Sequence, residues 1–321
     1  DMMKFGLSTL SQRAFTSPDA YVAVAGAAEA AGFDFLSVSD HLVIPGARET
    51  HYPYVAGGAF GGAEQGHCFD QLTTIAFLAA ATTELRLLAS VMVVPHRPAV
   101  LSAKMLATID VLSKGRLIVG AGAGWMKEEF EILGANFPDR GRVTDEYLAA
   151  FIELWTQAQP TFQGEHVNFS DVVFEPKPLQ KPYPPLWIGG ESPPAIRRAI
   201  AHGDTWYPGN NSQTLPLDTR ARLAEGIATV RNRCEAAGRD PATLGFALLV
   251  QDVFEWEEHS IADGTQRRIF TGTSSDMVED AEALAALGVG HVALRLRSDT
   301  VAGAVERVQR FGAEVIAKTQ G

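Results

Sequence analysis

Apolar positions along this chain alternate between two rhythms, runs in which nearly every residue is apolar and stretches with one apolar face at helical spacing. Met3–Leu10 reads as a short strand. Ser17-Pro18 then supplies a helix N-cap and a proline at the first helical position, where a missing N–H costs nothing. Beyond it Tyr21, Val24, Ala25 and Ala28 recur on one helical face, and Gly32 stands where a helix-ending glycine belongs. Phe33–Ser39 is a buried-strand run ending at Asp40-His41.

The same grammar repeats to the C-terminus. "EAAGFDFLSVSD", "IAHGDTWYPG" and "LAALGVGHVALRL" each show a helix end, a glycine and a strand. Further strands are predicted at Leu85–Val94, Arg116–Gly122, Pro185–Ile188, Thr205–Tyr207, Leu244–Phe254 and His291–Leu296. Helices are predicted at Phe69–Ala81, Ala99–Leu112, Arg142–Trp155, Ser192–His202, Leu217–Ala237, Ser275–Leu287 and Ala302–Ala317. With the first pair included there are eight of each. Eight βα units with no linker between them predict an α/β fold, one (β/α)8 TIM barrel domain over residues 1–321. The first βα turn has no glycine fingerprint, which disfavours a dinucleotide-binding open sheet. Two long connections, Leu42–Cys68 and Gln157–Pro184, read as insertion loops at the C-terminal face.

Composition narrows the partners. A 46% hydrophobic chain of 321 residues can fill a large core. Lysine and arginine total 27 against 38 acids, a formal charge of −11, which argues against nucleic acid or an anionic membrane and leaves a small-molecule substrate. No apolar run approaches the ~18 residues of a membrane span, and Asp1-Met2-Met3-Lys4 lacks the apolar core of a signal peptide. Cys68 and Cys234 lie in no CxxC or Cys/His cluster, so two free thiols in a reducing cytoplasm are expected. No two of the eight histidines have HxH or HExxH spacing, so no metal site is expected.

In a barrel of this kind chemistry sits just past the strand C-termini. Asp40-His41 follows the second strand, and a carboxylate beside an imidazole can position a cofactor and move a proton near neutral pH. A local turn cap with an incidental histidine reads equally well from the dipeptide alone. "VGAGAGW" ends the fourth strand, where Gly122 lets a ligand approach the backbone or merely relieves a crowded rim. "PLWIGGESPPAIRRAI" is a strand, a Gly189-Gly190 turn and a helix start that suits a phosphate. Pro193 and Pro194 have no N–H, so the donors there would come from Gly189 through Ser192.

Together these segments, with "LTTIAFLAAATTELRLLASVMVVPHRPAVLSAKMLATIDVLSKGRLIVGAGAGWMKEEFEILG" as the most specific block, resemble the luciferase-like oxidoreductase superfamily and its deazaflavin-dependent branch. The resemblance runs from near residue 3 past 290. It implies a redox ring across the barrel mouth, coenzyme F420 first and FMN as the alternative. It implies a bulged third strand with a non-prolyl cis peptide at Ser90-Val91 behind the ring. By resemblance Asp40 bonds the ring, His41 faces the substrate and transfers the proton, Gly122 meets the ring edge, and Gly189-Gly190 meets the phosphate or tail. Trp125 stands where sugar-phosphate-oxidising members keep a glutamate; with Trp206 and Tyr207 it suggests an apolar substrate pocket. The expected activity is hydride transfer between F420 and a small organic substrate. An FMN-dependent monooxygenase is the alternative, and a non-catalytic ligand-binding barrel a lesser one. A homodimer through helices of the second to fourth units is also implied.

Overall fold

Eight parallel strands close into a barrel in the computed structural model of the chain, which describes residues 2–9, 15, 17–46, 49–54, 58, 68–251, 256–262 and 265–319. The first half runs β1 (Lys4–Ser8), α1 (Pro18–Ala30), β2 (Phe35–Val38), α2 (Gln71–Ala81), β3 (Arg86–Val93), α3 (Ala99–Leu112) and β4 (Leu117–Gly122). Then come α4 (Lys127–Leu133), α5 (Arg140–Thr156) and an antiparallel hairpin, β5 (Phe162–Gln163) with β6 (Asn168–Phe169). The barrel resumes with β7 (Leu186–Gly189), α6 (Pro193–His202), β8 (Thr205–Tyr207), α7 (Arg220–Ala236) and β9 (Gly245–Val250). A second hairpin, β10 (Ile261–Ala262) with β11 (Gln266–Arg267), precedes α8 (Ser274–Ala286), β12 (Val289–Leu294) and α9 (Val301–Phe311). A wide turn, Gly312–Ile316, leads to α10 (Ala317–Thr319). Around the barrel the order is β1-β12-β9-β8-β7-β4-β3-β2.

The eight predicted strands are the eight barrel strands, and their helices start where polar caps lie. Ser17 accepts from the Ala20 N–H, Asp70 from Thr73, and Thr219 from Arg222. These side chains take up N–H groups that the first turn of a helix leaves without partners. Thr219 is why α7 starts at Arg220, three residues after the predicted Leu217. The periodicity did not reveal α4 or either hairpin. Leu10, residues 47, 48, 55–57 and 59–67 of the first predicted insertion, and 252–254 of the predicted strand Leu244–Phe254 lie outside the described residues.

Strand side chains divide by parity between two cores. Phe35, Leu88, Ile118, Trp187, Tyr207, Ala247 and Ala293 fill the barrel interior. Their neighbours, among them Leu36, Leu87, Val119, Trp206 and Leu248, face the helices. Each large apolar side chain buried this way contributes on the order of 1.5–3 kcal/mol. Phe35, Trp187 and His291 stack edge-on at 4.8–6.1 Å and plug the barrel. The C-terminal end is left open as a cup.

One strand is irregular at that end. Register between β3 and β4 shifts between Ala89 and Met92, and the Ser90-Val91 peptide is cis. The shift turns the Val91 side chain toward β4 and β7. A Cβ on Gly122 would lie 2.7 Å from Val91 Cγ2, and one on Gly189 2.9 Å from Val91 Cγ1. Only residues without a side chain let the two strands close on the bulge.

Candidate active site at the barrel mouth

A cavity of about 430 Å³ opens at the C-terminal ends of the strands. Asp40, His41, Ser90, Val91, Gly122, Trp125, Gly189, Gly190 and Tyr207 all line it, so nine of the ten residues singled out from the sequence come together. Trp206 does not. Strand alternation sends its ring outward against α7, where its indole N–H donates to the Gly190 carbonyl at 2.9 Å. Its neighbour Tyr207 points inward and its hydroxyl lies 3.1 Å from Ser90 Oγ. Burial pushes the Tyr207 phenol well up, so it stays protonated in the neutral range.

Asp40 is buried and fully engaged. Arg97 meets both of its oxygens at 2.9 Å, and Oδ2 also accepts the Val93 N–H at 2.9 Å. Arg97 reaches on to Asp70 at 2.7 Å. Burial works against the guanidinium charge, but the two carboxylates outweigh it and raise Arg97 above its ordinary value. The Asp40 carboxylate therefore ties the end of β2 to the stretch just past the bulge. What it presents to the cavity is the flank of an ion pair.

His41 is held by a residue the sequence reading did not single out. Its Nδ1 lies 2.9 Å from Oε2 of Glu129, on α4. Oε1 of the same carboxylate accepts the N–H groups of Leu42 at 2.7 Å and Val43 at 3.2 Å. Burial pushes the Glu129 carboxyl up, but its bonds to His41 and Leu42 outweigh that, and it stays ionised below the usual carboxylate range. A carboxylate can only accept, so Nδ1 carries a proton, and the neutral form of the ring keeps its lone pair on Nε2. Next to it on α4, Glu128 accepts from Glu49 N at 2.7 Å and Thr50 N at 2.9 Å. Two adjacent acids thus fasten both ends of the 42–50 segment.

That segment continues as a roof. Tyr52 packs on Trp125 with ring centres 5.1 Å apart, and Trp125 meets the His41 ring edge-on at 6.2 Å. The Tyr52 hydroxyl donates to Gln251 Oε1 at 2.8 Å, and Gln213 N donates to the Pro53 carbonyl at 3.1 Å. The opposite end of the cavity is basic. Arg140 rests on the Phe137 ring at 3.9 Å and donates to Gly124 O at 3.1 Å. Arg198 is bound to Asp145 at 2.5 Å and to Gly141 O at 2.9 Å. Gly190, at φ +103°, turns the chain into the α6 N-terminus, where Ser192 accepts from Ala195 N. Positive φ of this kind favours glycine. Glu191, beside that turn, accepts from Gly209 N at 2.6 Å with the Tyr54 hydroxyl 3.5 Å away. Burial pushes its carboxyl up to about 7.

The arrangement offers a side-chain-free floor at the bulge, a basic end and an imidazole with a defined tautomer. Residues 3–309 match the family described as luciferase-like monooxygenase. The FMNH2-dependent dimethylsulfone monooxygenase of Pseudomonas fluorescens (strain Pf0-1) is 32% identical over 268 residues, covering 79% of this chain and 67% of that one. Its namesake from Pseudomonas putida is 36% identical over 154 residues, 47% of this chain and 42% of that one, so this chain spans less than half of that relative. Among solved structures, the coenzyme F420-dependent tetrahydromethanopterin reductase of Methanopyrus kandleri superposes with a TM-score of 0.75 at 14% identity, over 99% of both chains. The chain belongs to the luciferase-like monooxygenase family.

Proposed function

We propose that this protein transfers a hydride between coenzyme F420 and a small organic substrate, with His41 moving the accompanying proton. The observation that carries this reading is the Glu129–His41 pair, whose imidazole shares one cavity with the Val91 bulge. The residues present fit a ring of this kind. Gly122 and Gly189 leave a floor without side chains beside Val91, and Arg140, Arg198 and the Gly189–Ser192 turn suit a phosphate at the basic end. A bound deazaflavin supplies a two-electron hydride donor or acceptor. Everything else falls to this chain. Val91 and Ser90 support the ring face, Asp40 fixes the bulge through Val93, and the Tyr52–Trp125 roof excludes water. His41 Nε2 takes or returns the proton at a substrate oxygen, while Glu129 holds Nδ1–H and steadies the imidazolium that forms.

A second reading, an FMN-dependent monooxygenase, is favoured by the FMNH2-dependent relatives at 32–36% identity. Titration with oxidised F420 and with FMN, followed by ring absorbance, tests both. Saturable F420 binding with turnover in the absence of oxygen is expected. FMN binding with strictly oxygen-dependent turnover would establish the second reading, and binding of neither ring would remove both in favour of a ligand-binding barrel. A homodimer belongs to the same proposal, because Phe77 of α2 and Val100, Leu101 and Leu112 of α3 expose apolar side chains. Leu101→Glu is expected to turn a dimer into a monomer by light scattering; a monomeric wild-type protein would refute it. The cytoplasm is the proposed compartment, in keeping with unbridged Cys68 and Cys234.

A further inference from the structure

The cavity mouth divides by topology. β3, β4, β7 and β8 stand side by side in the barrel and carry Ser90-Val91, Gly122, Gly189 and Tyr207. The other half is closed by β9, β12, β1 and β2, with His41 just past β2 and Gln251 just past β9. Tyr52 and Trp125 cover that second half.

Gln251 is 7% exposed and lines the cavity. It is held at two points. Its backbone N–H donates to Asn210 Oδ1 at 3.0 Å, and its side-chain oxygen accepts from the Tyr52 hydroxyl at 2.8 Å. The Tyr52 bond decides which way the amide faces. Nε2 is left without a hydrogen-bond partner among the described residues. It sits in the notch that Gly209 leaves by having no side chain, where a Cβ would come within 3.0 Å of it. An amide N–H that lines a cavity with no acceptor among the described residues is placed to meet a ligand oxygen. The cavity-lining arginines, Arg140 and Arg198, belong to α5 and α6 at the basic end, and the Asp40 charge is taken by Arg97. Closer to Gln251, Arg295 and Glu191, of opposite sign, both act on the Tyr52 hydroxyl that its oxygen accepts from.

We infer that Gln251 determines substrate specificity by donating its amide N–H to an acceptor oxygen, so that the substrate is a small molecule bearing a carbonyl, sulfonyl or hydroxyl oxygen. The inference rests on the proposed function for placing the ring on the glycine half and the substrate on the other, but its test needs no cofactor. Cyclohexanone and methylenecyclohexane have nearly one shape and differ in an acceptor oxygen against a CH2. Ligand-observed NMR titration of the wild-type protein is expected to give roughly fivefold to tenfold tighter binding of the ketone, the effect of one neutral hydrogen bond. Gln251→Leu should bring the two probes within about twofold of each other. Tyr52→Phe keeps the amide but frees its rotation, so the preference should narrow without vanishing. It also serves as the test if the leucine variant does not fold, which thermal melting reports. Wild-type protein that binds both probes equally, or neither, overturns the inference, as does a full ketone preference in both variants. A protein that binds neither F420 nor FMN yet keeps the preference refutes the proposed function and supports the role of Gln251.

Discussion

Glu129→Gln is the sharpest perturbation the site allows, because it removes one charge and keeps the shape. In the native side chain Oε1 serves the Leu42 and Val43 N–H groups and Oε2 serves His41 Nδ1. An amide has one oxygen. If that oxygen stays with the two backbone donors, the new NH2 faces Nδ1, which must then accept, and the imidazole proton moves to Nε2. The reverse orientation points NH2 at two backbone donors and strands them, at about 1–3 kcal/mol for each buried N–H. The first arrangement wins by that margin, so the tautomer switches. Nε2 then cannot take a proton from substrate, and the rate should fall by the ~10²–10⁴ that general base catalysis contributes. The corresponding Asp→Asn exchange in a serine-protease triad loses ~10⁴ through the same wrong-tautomer effect. Side-chain 15N NMR of selectively labelled histidine reads the tautomer directly, and single-turnover kinetics reads the rate. Cofactor affinity and melting temperature should hardly move, since every hydrogen bond keeps a partner. A variant that retains Nδ1–H by NMR, or retains full turnover with a switched tautomer, would refute the reasoning.

Three further outcomes follow from the geometry. Gly122→Ala places a methyl 2.7 Å from Val91 Cγ2, so the bulge must shift. Stability should drop by about 1–3 kcal/mol with weaker ring binding, and unchanged melting together with unchanged affinity would contradict the packing argument. Arg97→Met leaves Asp40 buried without its cation and should cost about 3–5 kcal/mol in denaturant unfolding, where a loss below ~1 kcal/mol would show the pair to be dispensable. The Glu191 carboxyl, pushed up to about 7 by burial, titrates near ~4.3 when unfolded. The folded state therefore pays nothing for this group below ~4.3 and bears the full penalty above about 7, so stability falls as pH rises through that window, by on the order of 3 kcal/mol. Glu191→Gln should flatten that slope of melting temperature against pH, and an unaltered slope would exonerate Glu191.

The barrel was legible because each βα unit announces itself locally, through a cap, a helical stripe, a glycine and an apolar run. The positions of Asp40, His41, Gly122 and Gly189 followed from the single rule that barrel chemistry sits past strand ends. Glu129 was not legible, since its partner lies 88 residues away in sequence and the "KEEFEIL" stretch of α4 looks like an ordinary acidic helix start. A glutamate in the first turn after a strand-end glycine run was the signal available. Trp206 and Tyr207 were both assigned to the pocket, though adjacent strand residues must face opposite sides; the period of two excluded one of them from the outset. Gln251 could be found only in three dimensions, because its meaning comes from Tyr52, 199 residues away.

Glu128 and Glu129 have a consequence for how this enzyme can change. Adjacent helical positions point about 100° apart, so one turn of α4 serves two customers in different directions. A one-residue insertion or deletion between Gly122 and Lys127 would rotate that turn and release His41 and the aromatic roof in the same stroke. The length of this short connection is therefore fixed more tightly than its residue types. New substrate preferences are free to arise by exchanging side chains at 52, 125 and 251, and closed to arising by resizing the loop beneath them.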